Sequence, residues 1–134
     1  MAWYAAHIVL YFRRKQSPQP RRFVVWENIV LISAGSDEEA FAKAEERGRQ
    51  EAADPDESLR LNGRPAEMVF AGVRKVVLCQ EEDRRPRDGT EVTYTEMEVG
   101  SEEMIRKLGA GEPVSATIAD RFPDAAPALA DNEG

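Results

Sequence analysis

The sequence predicts one α+β domain in which a long helix packs on one face of a mainly antiparallel, four-stranded sheet. Two runs rich in β-branched and aromatic residues, 3–13 and 22–34, predict the first two strands. A helix-start signal follows them, and two more extended runs come later, at 66–80 and 89–99. The predicted order of elements is therefore β-β-α-β-β-α, within residues 1–118.

The first two strands are predicted to pair as an antiparallel hairpin. The loop Arg13–Arg22 between them contains two prolines and five basic residues, which cannot continue a sheet, so this loop is exposed. Both alternating faces of each run are apolar, and Glu27 is the one charged break in the second. A strand that is apolar on both faces is buried on both. Because one helix covers only one face of a sheet, the other face needs a further cover.

The helix is predicted to run from Asp37 to Ala53. Ser36 and Glu39 form a capping box, in which the serine hydroxyl accepts from the Glu39 amide and the Glu39 carboxylate accepts from the Ser36 amide. Glycine costs about 1 kcal/mol relative to alanine in a helix, so Gly48 predicts a close approach to the sheet. The stripe predicted to face the sheet consists of Ala40, Phe41, Ala44, Gly48 and Ala52.

The third and fourth strands are predicted to complete the sheet. Asn62 and Gly63 predict a type I′ turn before the long strand 66–80, and Gly72 within that strand predicts a bulge. The alternating run 89–99 carries many Glu and Thr residues, which predicts an edge strand with one face in water.

The C-terminal part is predicted to hold a short helix and a tail. Ser101 begins the helix, and its predicted buried stripe is Met104, Ile105 and Leu108. From residue 119 the chain is rich in Ala, Pro and acidic residues, so residues 119–134 are predicted to be disordered.

The net charge of the chain is -7, which disfavours a nucleic-acid partner. The charge is uneven, because residues 1–35 carry five basic residues against one acidic residue, while the rest of the chain carries 13 basic and 24 acidic residues. One interpretation is a solvated basic loop on an acidic protein. The other is attraction between two copies, or between this chain and a partner.

The sequence predicts a cytoplasmic protein without a membrane segment. The apolar N-terminal run precedes the basic residues, which is the reverse of a secretory signal, and about ten residues are too few for a spanning helix. The single cysteine, Cys79, allows no intrachain disulfide, which fits a reducing compartment. Cys79 ends an apolar run and is predicted to be a buried structural thiol.

His7 is the only histidine and therefore the candidate for general acid–base catalysis. The alternative is a packed or hydrogen-bonded strand residue. Tyr11 and Trp26 are the candidates to line a ligand pocket near it. The sequence places no serine beside His7, and it has neither paired metal-ligand spacing nor a glycine-rich phosphate loop, so it predicts no catalytic triad, no metal and no cofactor.

Four segments of the chain, WYAAHIVLYF, WENIVLISAGSDEEAFAKAEERG, FAGVRKVVLC and DGTEVTYTEMEV, carry a family resemblance. They resemble an uncharacterised bacterial family, the domain of unknown function 4288, over roughly residues 3–115. The most specific part is the second strand that leads directly into Ser-Asp-Glu-Glu-Ala. This resemblance implies the fold described above and a bacterial origin, and it implies no activity.

Three functional hypotheses follow. The first is a non-enzymatic interaction or accessory module that forms a homodimer and binds another protein through the sheet or an exposed edge. Its interface candidates are Trp3, Val24, Trp26 and Ile32. The second is a small dimeric enzyme or ligand-binding domain with a pocket near His7. The third is a single-strand nucleic-acid platform formed by aromatic residues beside the basic loop, which the net charge opposes.

Overall fold

The computed structural model describes residues 1–53, 56–80 and 86–119 and has an α+β fold, as predicted. The chain divides into two compact units, Met1–Thr93 and Tyr94–Gly134. A four-stranded antiparallel sheet forms in the first unit, which confirms the predicted number and direction of its strands but not the predicted order of elements. The elements in chain order are β1 (Ala2–Arg14), β2 (Val25–Ala34), α1 (Asp37–Ala53), β3 (Arg60–Leu61), β4 (Arg64–Gln80), β5 (Met97–Glu98), α2 (Glu102–Gly109) and β6 (Thr117–Ile118).

The strand order of the sheet is β2-β1-β4-β3, so β1 is a central strand. The even-numbered residues of β1 and β2 share the face that α1 covers, which we call the helix face, and their odd-numbered residues share the opposite face. The middle of β1 is fully buried on both faces, with Ile8 and Leu10 on one and Ala5 and His7 on the other. Burial on both faces is therefore confirmed for the middle of the first strand, but β2 lies at the edge and stays partly exposed.

The start of α1 confirms the predicted cap with one change. The Glu39 amide donates to Ser36 Oγ at 3.1 Å. The Glu39 carboxylate accepts from the Gly35 amide at 2.7 Å, one residue earlier than the capping box predicts. These bonds satisfy amides at the helix start that have no partner within the helix. They fix the point at which the chain leaves β2 and turns back across the sheet.

The helix packs on the sheet through its small residues. Ala40, Ala44 and Gly48 are its buried positions. A Cβ atom at Gly48 would overlap the ring of Phe70 on β4 and lie 3.1 Å from Ile8 Cγ2, so the predicted close approach is confirmed. The prediction for Phe41 is wrong, because its side chain is 39% exposed. The residues in contact with the sheet are Ala40, Ala44 and Gly48, which are spaced by four, and Phe41 lies to one side of this row.

β4 is irregular where it pairs with β1. The β1–β4 register shifts at three places, and one shift lies between Gly72 and Phe70, as expected from the predicted bulge. The turn before this strand has positive φ angles of 54° at Asn62 and 78° at Gly63. Both central residues of a type I′ turn require a positive φ, so this prediction is also confirmed.

The predicted edge strand over residues 89–99 is wrong. Among the described residues, this stretch contains only β5, and the fourth strand of the sheet is instead the two-residue β3. The stretch alternates as a strand would, but it offers little apolar surface, and Val92 remains 37% exposed. Apolar burial is what offsets the conformational entropy lost when a strand orders.

The second unit contains α2 and the two-strand pairing of β5 with β6. Ser101 caps α2 as predicted, with its Oγ accepting from the Met104 amide at 3.2 Å. The predicted buried stripe is wrong for Ile105 and Leu108, which are 51% and 38% exposed, because strands of two residues offer little surface to cover them. The predicted tail, residues 119–134, lies outside the described residues except for Ala119.

Candidate functional site

A polar cluster lies on the opposite face of the sheet, among side chains that the sequence predicts to be apolar. We call it the His7 cluster, and it consists of His7, Glu27, Arg74 and Thr93. The imidazole bonds Glu27 Oε2 through Nδ1 and Thr93 Oγ1 through Nε2. Arg74 donates to the same Glu27 oxygen from Nε at 3.0 Å and from Nη2 at 2.6 Å. A hydroxyl, an imidazole, a carboxylate and a guanidinium are thus connected in one chain of hydrogen bonds.

Three strands bring His7, Glu27 and Arg74 together, and Thr93 comes from the segment after β4. In the β1–β2 register, His7 faces Ile29 and Val9 faces Glu27, so His7 and Glu27 are diagonal neighbours on one face. Arg74 is the extra residue of β4 where the register with β1 shifts between His7 and Ile8. A bulge redirects side chains, and here the Arg74 guanidinium reaches across to β2.

The charges of the cluster are set by burial and by pairing. Burial raises the pKa of Glu27, but hydrogen bonds and charge from Arg74 and His7 outweigh it, so the pKa lies below its ordinary value. Burial lowers the pKa of His7 below 6.5, and the charges of Lys75 and Arg74 add to this effect, whereas Glu27 opposes it. At neutral pH the cluster therefore contains a carboxylate and a neutral imidazole.

Sequence reasoning identified His7 but not the residues that it contacts. Arg74 and Thr93 come from β4 and the segment after it, and a single sequence gives no means of placing them beside β1. The sequence does contain one sign of the other cluster residues, which is the presence of charged residues within apolar strands. Glu27 interrupts β2, and Arg74 and Lys75 interrupt β4. A charged residue in a buried strand needs a partner on the same face.

The other two pocket candidates lie on different faces of the sheet. Tyr11 shares the opposite face with His7, and its ring packs edge-on against Phe23 with centroids 5.7 Å apart. Trp26 lies on the helix face, where its ring packs edge-on against Phe12 at 4.9 Å. Trp26 and Phe12 contribute to a cavity of about 450 Å³ at the C-terminal end of α1. His7, Tyr11 and Trp26 therefore do not line a common pocket.

The second candidate surface is the edge strand β2, with the segment leading into it. Among the interface candidates, Trp26 is 50% and Val24 51% exposed, whereas Ile32 is buried in the core and Trp3 is partly buried. Apolar side chains are exposed on both faces of this edge. They are Val24 and Trp26 on the helix face, and Phe23, Val25, Ile29 and Leu31 on the opposite face.

The backbone of β2 also presents bonding groups at this edge. The Phe12 amide donates to the Val24 carbonyl at 3.2 Å, so these two residues form a hydrogen-bonded pair. Such pairs alternate in antiparallel strands, which directs the amides and carbonyls of the odd residues of β2 away from β1. In agreement, the Ser33 carbonyl accepts from Lys43 Nζ at 2.7 Å on this outer side. Residues 25–31 therefore present a row of outward-directed peptide groups.

The thiol and the acidic residues do not add a site. Cys79 is partly buried, its Sγ donates to the Trp3 carbonyl at 3.3 Å, and burial raises the pKa of its thiol. In residues 1–53, 56–80 and 86–119, no three His, Cys, Asp or Glu side chains are grouped to hold a metal ion. The same residues include no helix that is both long and apolar enough to cross a bilayer.

Comparison with known protein families identifies one family to which this chain is similar. A family model described as "Domain of unknown function (DUF4288)" matches residues 3–94, which is more than half of the chain. The matched range covers β1 to β4 and α1, and with them every residue of the His7 cluster and the whole exposed edge. No curated protein and no solved structure gives a significant match.

Proposed function

We propose that this chain, which belongs to the DUF4288 family of domains of unknown function, is a protein-interaction module that forms a homodimer through the edge strand β2. The observation that carries the proposal is the open edge itself. Over residues 25–31 it combines outward peptide groups with apolar side chains that are half exposed on both faces. The proposal places this dimer in the cytoplasm, in keeping with a chain whose one cysteine allows no intrachain disulfide.

The lack of bulges, prolines and lysines within β2 itself supports pairing at this edge, and Lys43 of α1 bonds its outer side only at Ser33, beyond residues 25–31. Proteins block exposed edge strands with bulges, prolines, lysines or charges directed along the edge. β2 pairs with β1 over ten residues without a register shift, and it contains neither proline nor lysine. Its one charged side chain, Glu27, is held by His7 and Arg74. The outer side of β4 differs, because β4 has three register shifts along its length.

A second copy fits this edge because the charges at its two ends are complementary. Two-fold pairing of β2 with itself is antiparallel, so the start of each strand lies near the end of its partner. The exposed Arg21 and Arg22 lie in the loop that leads into β2, and α1 begins shortly after β2 with Asp37, Glu38 and Glu39. Each end of the paired strands then brings a basic loop near an acidic helix start, which favours a second copy as the occupant.

Light scattering of the purified chain tests the dimer. We expect a mass near two chains of 15.0 kDa for the natural sequence, and a mass near one chain for Ile29→Lys. The lysine places a charge at the centre of the paired edge, where its partner strand would bury it. The dissociation constant is expected to rise by at least about 100-fold, the scale of burying an unpaired charge.

Phe41→Lys provides the matched control, because Phe41 is also exposed but lies on α1. This variant is expected to remain a dimer. Circular dichroism of both variants must match that of the natural sequence, so that loss of the dimer is not loss of the fold. A monomeric natural protein at every concentration contradicts the proposal, as does a dimer that Ile29→Lys leaves intact.

A further inference from the structure

The His7 cluster has a defined proton arrangement. Glu27 is a carboxylate at neutral pH and can only accept hydrogen bonds, so its bond to His7 requires the proton on Nδ1. The imidazole is neutral, because burial lowers the pKa of His7. Its Nε2 therefore carries a lone pair, and the Thr93 hydroxyl must donate to it. Thr93, His7 and Glu27 are thus hydrogen-bonded in the order hydroxyl, base and orienting carboxylate. This is the arrangement that activates a nucleophilic hydroxyl.

Within the cluster, the base is more deeply buried than the hydroxyl. The exposed fraction of His7 is 0%, whereas Thr93 is only partly buried. Water therefore has no direct path to the base, and the hydroxyl is the member of this pair that a reagent can meet. Arg74 fixes the carboxylate with two hydrogen bonds, so Glu27 and Arg74 are positioning residues that hold the imidazole in one tautomer and orientation.

We propose that Thr93 is a nucleophilic hydroxyl that accepts an acyl group from an activated ester, with His7 as its general base. The Thr93 oxygen forms a bond to the ester carbonyl carbon, and its proton moves to His7 Nε2. The bond between that carbon and the leaving oxygen then breaks, and the proton passes from His7 to the departing alcohol. An acyl-threonine and an alcohol result, and attack by water on the new ester releases the acid and restores the hydroxyl.

The charges around the cluster favour this step. Arg74 and Lys75 are cationic residues on β4, Lys75 faces His7 in the strand register, and both act electrostatically on the imidazole. Lys75 is 5% exposed, so its charge is weakly screened by solvent. This positive charge lowers the pKa of His7 and so keeps the imidazole unprotonated and available as a base.

Acetylation by p-nitrophenyl acetate tests the proposal. At neutral pH, peptide mass spectrometry is expected to find one acetyl group on Thr93, and the absorbance of p-nitrophenolate is expected to show a burst of about one equivalent per chain. Thr93→Val keeps the side-chain shape and removes the hydroxyl, so it is expected to abolish the burst. Thr93→Ser keeps the hydroxyl and is expected to retain it. General-base assistance is worth about 100-fold or more in rate.

Thr90→Val is the matched control, because Thr90 lies three residues away and its hydroxyl accepts from the Arg87 amide instead of contacting His7. It is expected to react like the natural sequence. A burst that is unchanged in Thr93→Val overturns the proposal, and so does a natural protein whose residue 93 carries no acetyl group. Circular dichroism spectra of all three variants establish that they are folded.

The pH profile separates an activated hydroxyl from a surface amine. The midpoint of the rise of Thr93 acetylation with pH is expected to lie below 6.5, the ordinary histidine value, because burial lowers the pKa of His7 and the neutral imidazole is the reacting base. Glu27→Gln is expected to slow the reaction and move its midpoint to lower pH, since the carboxylate no longer favours the protonated imidazole. If the rate of Thr93 acetylation still rises steeply above pH 8, His7 is not the base.

Discussion

Replacing Glu27 with alanine is expected to lower the free energy of unfolding by about 3 kcal/mol. The side chain of Glu27 accepts hydrogen bonds from His7 and Arg74, and the side chains of Glu27 and Arg74 are only 25% and 22% exposed. Removal of the carboxylate takes the Glu27 acceptor away from the largely buried guanidinium and from the buried imidazole N–H, and breaking a fully buried pair costs about 3–5 kcal/mol. Urea unfolding followed by circular dichroism measures this loss.

Glu67→Ala is the control, because Glu67 also pairs with an arginine between strands of the same sheet. Its bond to Arg13 measures 2.7 Å, but the side chains are 38% and 46% exposed. Exposed ion pairs contribute about 0–1 kcal/mol, so this variant is expected to lose less than about 1 kcal/mol. Equal and small losses in both variants would mean that the His7 cluster does not support the fold.

Replacing Gly48 with leucine is expected to lower the free energy of unfolding by about 3 kcal/mol. The first added carbon already overlaps the Phe70 ring and approaches Ile8, so α1 must move away from the sheet. Overpacking of a close-packed core costs about 1–3 kcal/mol and at times more. The loss is expected although leucine forms helices better than glycine by close to 1 kcal/mol. Thermal and urea unfolding both report it.

Ala42→Leu provides the comparison for Gly48→Leu, since Ala42 lies on the exposed side of the same helix. Its free energy of unfolding is expected to change by less than about 0.5 kcal/mol, as is usual for surface substitutions. If Gly48→Leu is as stable as the natural sequence, α1 does not contact the sheet at this glycine.

The strands and the helix start were predictable because they depend on residues that are near in sequence. The alternation in β1 and β2 assigns each side chain to a face, and the observed register preserves that assignment. Ser36 and Glu39 define the beginning of α1 through bonds that span only a few residues. The positive φ of Asn62 and Gly63 likewise follows from the turn that those two residues form.

Contacts between distant segments could not be predicted in this way. Phe41 and Ala44 lie on the same predicted stripe, and only the observed contact of α1 with the sheet shows that Ala44 is buried and Phe41 exposed. Thr93 has the alternation of a strand residue, yet its hydroxyl contacts His7, which is 86 residues away. The pattern of neighbouring residues in the sequence carries no information about such a long-range contact. Of the His7 cluster, only the histidine itself was therefore predicted as a candidate site residue.

The two proposed features are physically connected through Glu27. A charged side chain in an edge strand commonly keeps other strands away. The Glu27 carboxylate is instead bound by His7 and Arg74, so the one charged side chain of β2 serves the buried cluster and not the outer side of residues 25–31. The same bonds that orient the imidazole therefore leave an apolar edge open for a second copy.

Amide hydrogen exchange of β2, followed by NMR at two protein concentrations, tests the edge pairing most directly. The amides of Glu27, Ile29 and Leu31 point away from β1, whereas those of Asn28 and Val30 bond within the sheet. We expect all five to be protected in the dimer, and only Asn28 and Val30 to remain protected after dilution to the monomer. Rapid exchange of Glu27, Ile29 and Leu31 at the higher concentration would contradict pairing through β2.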